Sequence, residues 1–193
     1  MSKGRLEAFS DGVLAIIITI MVLELKTPEG TSLSALLDQL PVLISYAISY
    51  TYIGIYWVNH HRLLNPVNTI SSRVLWANLL WLFTSSLIPF ATGWIAESQY
   101  STGPTFFYSA LLFVCAITYH ILVMTVNRAS GEQISFWGTI RRDSRSWVTF
   151  LCYGAAIVFS LFWPVVSYIL FVAVAIYWIL PGVSENSDSS SPE

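Results

Sequence analysis

Charge is scarce in this chain: 10% of its residues are Asp, Glu, Lys or Arg, and the formal net charge is −2. So little charge builds neither a basic footprint for nucleic acid nor a strongly acidic face, and a nucleic-acid partner is not expected. Cysteine is nearly absent too, with two residues, Cys115 and Cys152, both inside apolar runs. A thiol so placed behaves as a small buried hydrophobe, and no disulfide is expected. No spacing of His, Cys, Asp and Glu reads as a metal-ligand set. No Ser-His-Asp order or pair of catalytic carboxylates emerges. Neither an enzyme nor a cofactor is expected. No repeat relates the first half of the chain to the second.

What is present is apolar: 55% of the residues are hydrophobic and the mean hydropathy is +0.64. Apolar runs of about 17 to 22 residues recur along the chain, the length that crosses a bilayer as helix. The reading is an all-α, multi-pass membrane protein with six transmembrane helices at 5–25, 40–58, 74–95, 105–126, 146–163 and 164–180. These form one membrane domain over 1–180, followed by a disordered tail at 181–193 that is rich in Ser and acids. The last two spans need a break, because one helix from 147 to 180 would run about 50 Å. Pro164 supplies it, since proline lacks the amide proton and disfavours helix at Trp163. The first run is not read as a cleavable signal, because it is too long and Glu7 and Asp11 interrupt it.

Basic residues orient the spans. Lys3, Arg5, Arg62, Arg73, Arg128, Arg141, Arg142 and Arg145 all fall on one side, and only Lys26 falls on the other, with Glu29, Asp38 and Glu97. Because Lys and Arg are retained in cytoplasmic loops, both termini are expected in the cytoplasm, with the plasma membrane as location.

The first span carries Arg5, Ser10, Asp11 and Thr19 on an otherwise apolar helix. Ionisable groups at bilayer depth cost several kcal/mol, roughly 2.5 to 3.5 each at the centre, so this helix is expected to face protein or water. Arg5 and Asp11 read as a structural clamp pairing with neighbouring helices, with ion coordination or proton transfer as the second reading. Ile16, Thr19, Ile20 and Leu23 share one face at helical spacing. Periodicity alone leaves this stripe as plain helix packing or as the lining of a pathway.

Arg5, three residues, then Phe9-Ser10-Asp11, opening a helix that runs through Thr19 to Leu23-Glu24-Leu25, resembles the signature of the transmembrane protein 175 family of potassium channels. Tyr56-Trp57-Val58-Asn59-His60-His61, Asn78-Leu79-Leu80 and Pro89-Phe90 resemble that family as well. The resemblance implies a potassium-permeable channel of four identical chains, because one Phe-Ser-Asp motif supplies one pore-lining first helix. It implies that Ile16, Ile20 and Leu23 form apolar constriction rings and Thr19 a hydroxyl layer, with potassium as the permeating ion. The chain has no Thr-Val-Gly-Tyr-Gly loop, so side chains must act in place of a carbonyl filter. The alternative is a secondary transporter or proton-leak pathway using Asp11 and His60, although no inverted repeat is found.

Other polar residues have local readings. Arg5, Ser10, Asp11, His60, His61, Arg62 and Asn78 are expected in one hydrogen-bonded cluster at the cytoplasmic side. Adjacent histidines on a helix point about 100° apart and do not chelate together. His120 is expected to be satisfied between helices, Glu24 to be a solvated helix-end carboxylate or a cation-attracting mouth, and Pro89 to kink its span. The fourth span lacks the Arg ladder of a voltage sensor.

Overall fold

A computed structural model describes residues 2–28, 30–67, 70–98 and 100–180; Glu29 and the tail at 181–193 lie outside the described residues. Every regular element among them is α-helical: α1 (Lys3–Leu23), α2 (Leu33–Leu37), α3 (Leu40–Leu64), α4 (Ser72–Ser85), α5 (Ile88–Glu97), α6 (Thr102–Ala129), α7 (Phe136–Arg142), α8 (Ser144–Ser160) and α9 (Pro164–Ile179). In lipid a helix satisfies its own backbone groups, and this is why apolar runs become helices regardless of β-branched content.

Four stretches are long and apolar enough to cross a membrane: α1, α3, α4 with α5, and α6. The 21 residues of α1 reach about 31 Å at 1.5 Å per residue, matching a hydrocarbon core of ~30 Å. The third stretch bends where α4 gives way to α5. Pro89 has no amide proton to offer the Ser85 carbonyl. Ser85 and Ser86 donate back to the carbonyls of Trp81 and Phe83, at 2.9 and 2.8 Å. The helices α8 and α9, of 17 and 16 residues, are shorter than these four. They turn on Phe162-Trp163-Pro164, with Trp163 N–H donating to Phe159 O at 2.7 Å and Ser167 Oγ to Ala156 O at 2.8 Å.

Two short helices stand where the sequence reading has only loops. In α2 the Ser32 hydroxyl caps the Ala35 amide, and in α7 Ser135 caps Gly138. The latter helix buries Thr139 and Ile140 and exposes Trp137, as an element lying along an interface does.

Packing runs in a chain of neighbours: α4 on α6, α6 on α8, α8 on α9, and α3 on α9 and α5. Trp81, Tyr52, Tyr153 and Phe171 are the largest buried side chains. Trp81 stacks on His60 with centroids 5.0 Å apart and meets Tyr56 edge-on. Among the described residues α1 packs mainly on α3, α4 and α5, so it lies at the edge of the bundle with one side uncovered. At one end of the bundle Lys3 Nζ donates to Asn65 O at 2.7 Å, and Arg145 donates to Leu180 O at 2.6 Å. The start of α1 therefore meets the end of α3, and the start of α8 meets the end of α9. At the opposite end Lys26 pairs with Glu97, whose carboxylate raises the Lys26 amine above its usual value.

Candidate functional site

The edge helix has two chemically distinct faces. Toward the bundle it buries Leu6, Ser10, Leu14, Ile17 and Met21, spaced four, four, three and four apart. Away from the bundle stand Phe9, Ile16, Ile20 and Leu23, with 50, 58, 43 and 79% of their surface exposed, and Thr19 exposed among them. The Thr19 hydroxyl donates to Ile16 O at 3.0 Å. Its proton is thereby turned inward, and its oxygen retains acceptor capacity on the exposed side.

Three buried polar side chains hold the inward face. Asn78 on α4 donates through Nδ2 to Ser10 Oγ at 3.0 Å, and its Oδ1 lies 2.9 Å from His60 Nε2 on α3. Ser10 in turn donates to Leu6 O at 2.8 Å. Ser10 and Asn78 have no exposed surface, and His60 is buried against Trp81. One asparagine, using both ends of its amide, thus ties three helices together. Beside this triad Trp57 Nε1 donates to Asp11 Oδ1 at 3.0 Å, giving the carboxylate a partner on α3. Trp57 also stacks on His61, with centroids 6.5 Å apart. Arg5 is exposed and makes no hydrogen bond or ion pair with a described residue, and Phe9 is half exposed. The structure therefore brings together Ser10, His60 and Asn78, sets Asp11 with Trp57, and leaves Arg5, Phe9 and His61 outside the triad.

A second polar layer grips α1 nearer its other end. Thr92 on α5 lies 4.0 Å from the Met21 sulfur and donates to Ser49 Oγ at 2.7 Å, and Ser49 Oγ lies 2.8 Å from the Tyr108 hydroxyl. Sequence reasoning missed this layer, and also Trp57 as the partner of Asp11. Hydroxyls and indoles are common in apolar helices and usually bond to their own backbone or sit at interfaces, so nothing in the pattern singles these out. Glu24 stands over Gly93 on α5, where a Cβ would lie 3.0 Å from Glu24 Oε2. His120 is buried, with Nδ1 2.9 Å from Ala116 O and its ring among Tyr119, Phe136 and Phe150.

The arrangement is a helix clamped by polar contacts on one side and presenting a stripe of branched aliphatic side chains and one hydroxyl on the other. A family model described as the endosomal/lysosomal potassium channel TMEM175 matches residues 5–89. A protein of Chryseobacterium sp. (strain P1-3), described as a potassium channel, is 44% identical over 181 residues, covering 94% of each chain. A Gallus gallus protein described as the endosomal/lysosomal proton channel TMEM175 is 30% identical over 154 residues, covering 72% of this chain and 28% of that one. The crystal structure of a lysosomal potassium-selective channel TMEM175 homolog from Chamaesiphon minutus superposes with a TM-score of 0.79, at 26% identity and with 98% of both chains covered.

Proposed function

The chain belongs to the TMEM175 family of channels, and from that membership we propose that it is a potassium-permeable cation channel of four identical subunits. The observation that carries this reading is the uncovered face of α1. The helix is fixed from behind by Ser10, Asn78 and His60, while Ile16, Thr19, Ile20 and Leu23 point away from the bundle. Four such helices about a common axis enclose a pathway that no single chain contains. Six helices cross the bilayer in this proposal, α8 and α9 forming a tight hairpin of short spans. Both termini are cytoplasmic, at the end rich in Lys and Arg, and the plasma membrane is the location.

Ions pass rings of Ile16, Ile20 and Leu23 that close by expelling water. When they open, an ion must shed part of its hydration shell, which potassium does at lower cost than sodium. Thr19 oxygens supply acceptors within the apolar stretch. Ser10 and Asp11 serve the position of α1, bonded to Asn78 and Trp57, with no catalytic role and no cofactor. Reversal potentials in liposomes holding the purified protein test the hydroxyl layer. Thr19→Ala is expected to lower potassium-over-sodium preference about fivefold, the equivalent of ~1 kcal/mol for one net hydrogen bond. An unchanged preference removes Thr19 from the filter.

A second reading is a proton pathway, favoured by the likeness to the Gallus gallus protein described as a proton channel. A secondary transporter is the remaining alternative. Uncoupled potassium flux down an imposed gradient supports the channel. Saturating flux that requires a second solute ends that reading in favour of the transporter, and flux of protons without potassium favours the leak.

A further inference from the structure

A groove of about 510 Å³ opens at the surface between α3 and α9, and its walls change character along its length. Gly54, Val58 and Ile179 form an apolar part, while Arg62 and Arg145 line the part at the arginine-rich end of the bundle. Gly54 and Arg62 are eight residues apart on α3, a separation of about 12 Å along the helix axis. The Arg145 guanidinium is held in place, donating to Trp178 O at 3.4 Å and to Leu180 O at 2.6 Å and lying 5.8 Å from the Tyr177 and Trp178 ring centres. Those two bonds leave further N–H donors of its five for another acceptor.

We propose that this groove binds one anionic phospholipid, its phosphate between Arg62 and Arg145 and an acyl chain along Gly54 and Val58. Guanidinium groups match phosphate oxygens in geometry and charge. Basic pockets between helices at the bilayer surface select anionic headgroups. A free anion would be held by the arginines alone and would gain nothing from the apolar wall, whereas a lipid uses both parts of the groove. Trp57 also lines the groove, and its indole donates to Asp11, so the lipid lies against the side chain that tethers α1 to α3. The proposal concerns binding alone and stands whatever α1 conducts.

Native mass spectrometry of the full-length protein in detergent tests it, with phosphatidylglycerol, phosphatidylcholine and inorganic phosphate titrated in separate arms. Wild type is expected to retain phosphatidylglycerol in preference to phosphatidylcholine, and Arg62→Gln to reduce that preference about fivefold, the equivalent of ~1 kcal/mol per basic residue at the surface. Arg145 also ties α8 to the end of α9, so a second variant is chosen for its neutrality to the fold. A Cβ at Gly54 meets nothing within 4 Å, so the side chain of Gly54→Leu starts from open space in the groove wall. It is expected to abolish preferential phosphatidylglycerol retention while leaving the oligomer mass unchanged. Equal retention by Gly54→Leu and wild type, equal binding of the two lipids, or displacement of phosphatidylglycerol by millimolar inorganic phosphate each overturns the proposal; the last result makes the site one for a free anion.

Discussion

Asn78 carries more of the architecture around α1 than its single amide suggests, because it is donor to Ser10 and partner to His60 at once. Replacing it with leucine removes both contacts and leaves a buried imidazole nitrogen without its bond. An orphaned buried polar group costs roughly 1 to 3 kcal/mol. Ser10→Ala removes one interhelical contact, together with the Ser10 hydroxyl's bond to Leu6 O within α1, and interhelical hydrogen bonds in membranes average about 0.6 kcal/mol. Thermal unfolding in detergent is therefore expected to rank Asn78→Leu as clearly more destabilising than Ser10→Ala, and the reverse order would remove Asn78 as the hub. At this scale the sequence was informative at Ser10, His60 and Asn78, where polar residues interrupt apolar runs, but it grouped Arg5 and His61 with them, which the structure leaves outside the triad. It was silent on Thr92, Ser49 and Tyr108, since serine and threonine hydroxyls can satisfy themselves on their own helix, tyrosines commonly sit at the interface, and only the packing of α5 against α3 and α6 brings them together.

Helix positions follow from apolar runs, and those runs were plain in the sequence: α1, α3 and α6 each begin within three residues of the expected starts at 5, 40 and 105. The turn at Phe162-Trp163-Pro164 was also legible, because no single helix of that length fits a bilayer. The separation of α4 from α5 was harder, since a proline inside an apolar run can bend a helix or interrupt it. Here the hydroxyls of Ser85 and Ser86 take the carbonyls of Trp81 and Phe83 just ahead of Pro89, so two local effects act at one point. Pro89→Ala separates them. If the missing amide proton is the cause, the new amide at position 89 bonds to Ser85 O, and hydrogen exchange slows across 86–89. Unchanged exchange there assigns the break to the serines. The short helices α2 and α7 escaped the sequence reading for a different reason. Each is too brief for periodicity to register and is defined by a serine cap.

For the whole molecule, the proposed pathway lies between chains, and that is why neither the sequence pattern nor the fold of one chain contains it. Exposed aliphatic side chains are common on this protein, as on any surface facing lipid, so exposure of Leu23 does not by itself separate an axis from a periphery. Proximity between copies does. A cysteine at position 23 on the uncovered face of α1 is expected to form a disulfide with another copy under mild oxidation, because helices gathered about an axis bring equivalent side chains within bonding reach. Phe162→Cys, at the exposed turn between α8 and α9, is the control and is expected to remain uncrosslinked. The native thiols add little background, as Cys115 is buried and Cys152 is half-buried. Covalent dimers of Leu23→Cys, with native particles at four times the 21.6 kDa chain mass, support the central position of α1. Crosslinking at 162 but not at 23 would place the α8–α9 turn at the contact between copies and leave α1 facing lipid.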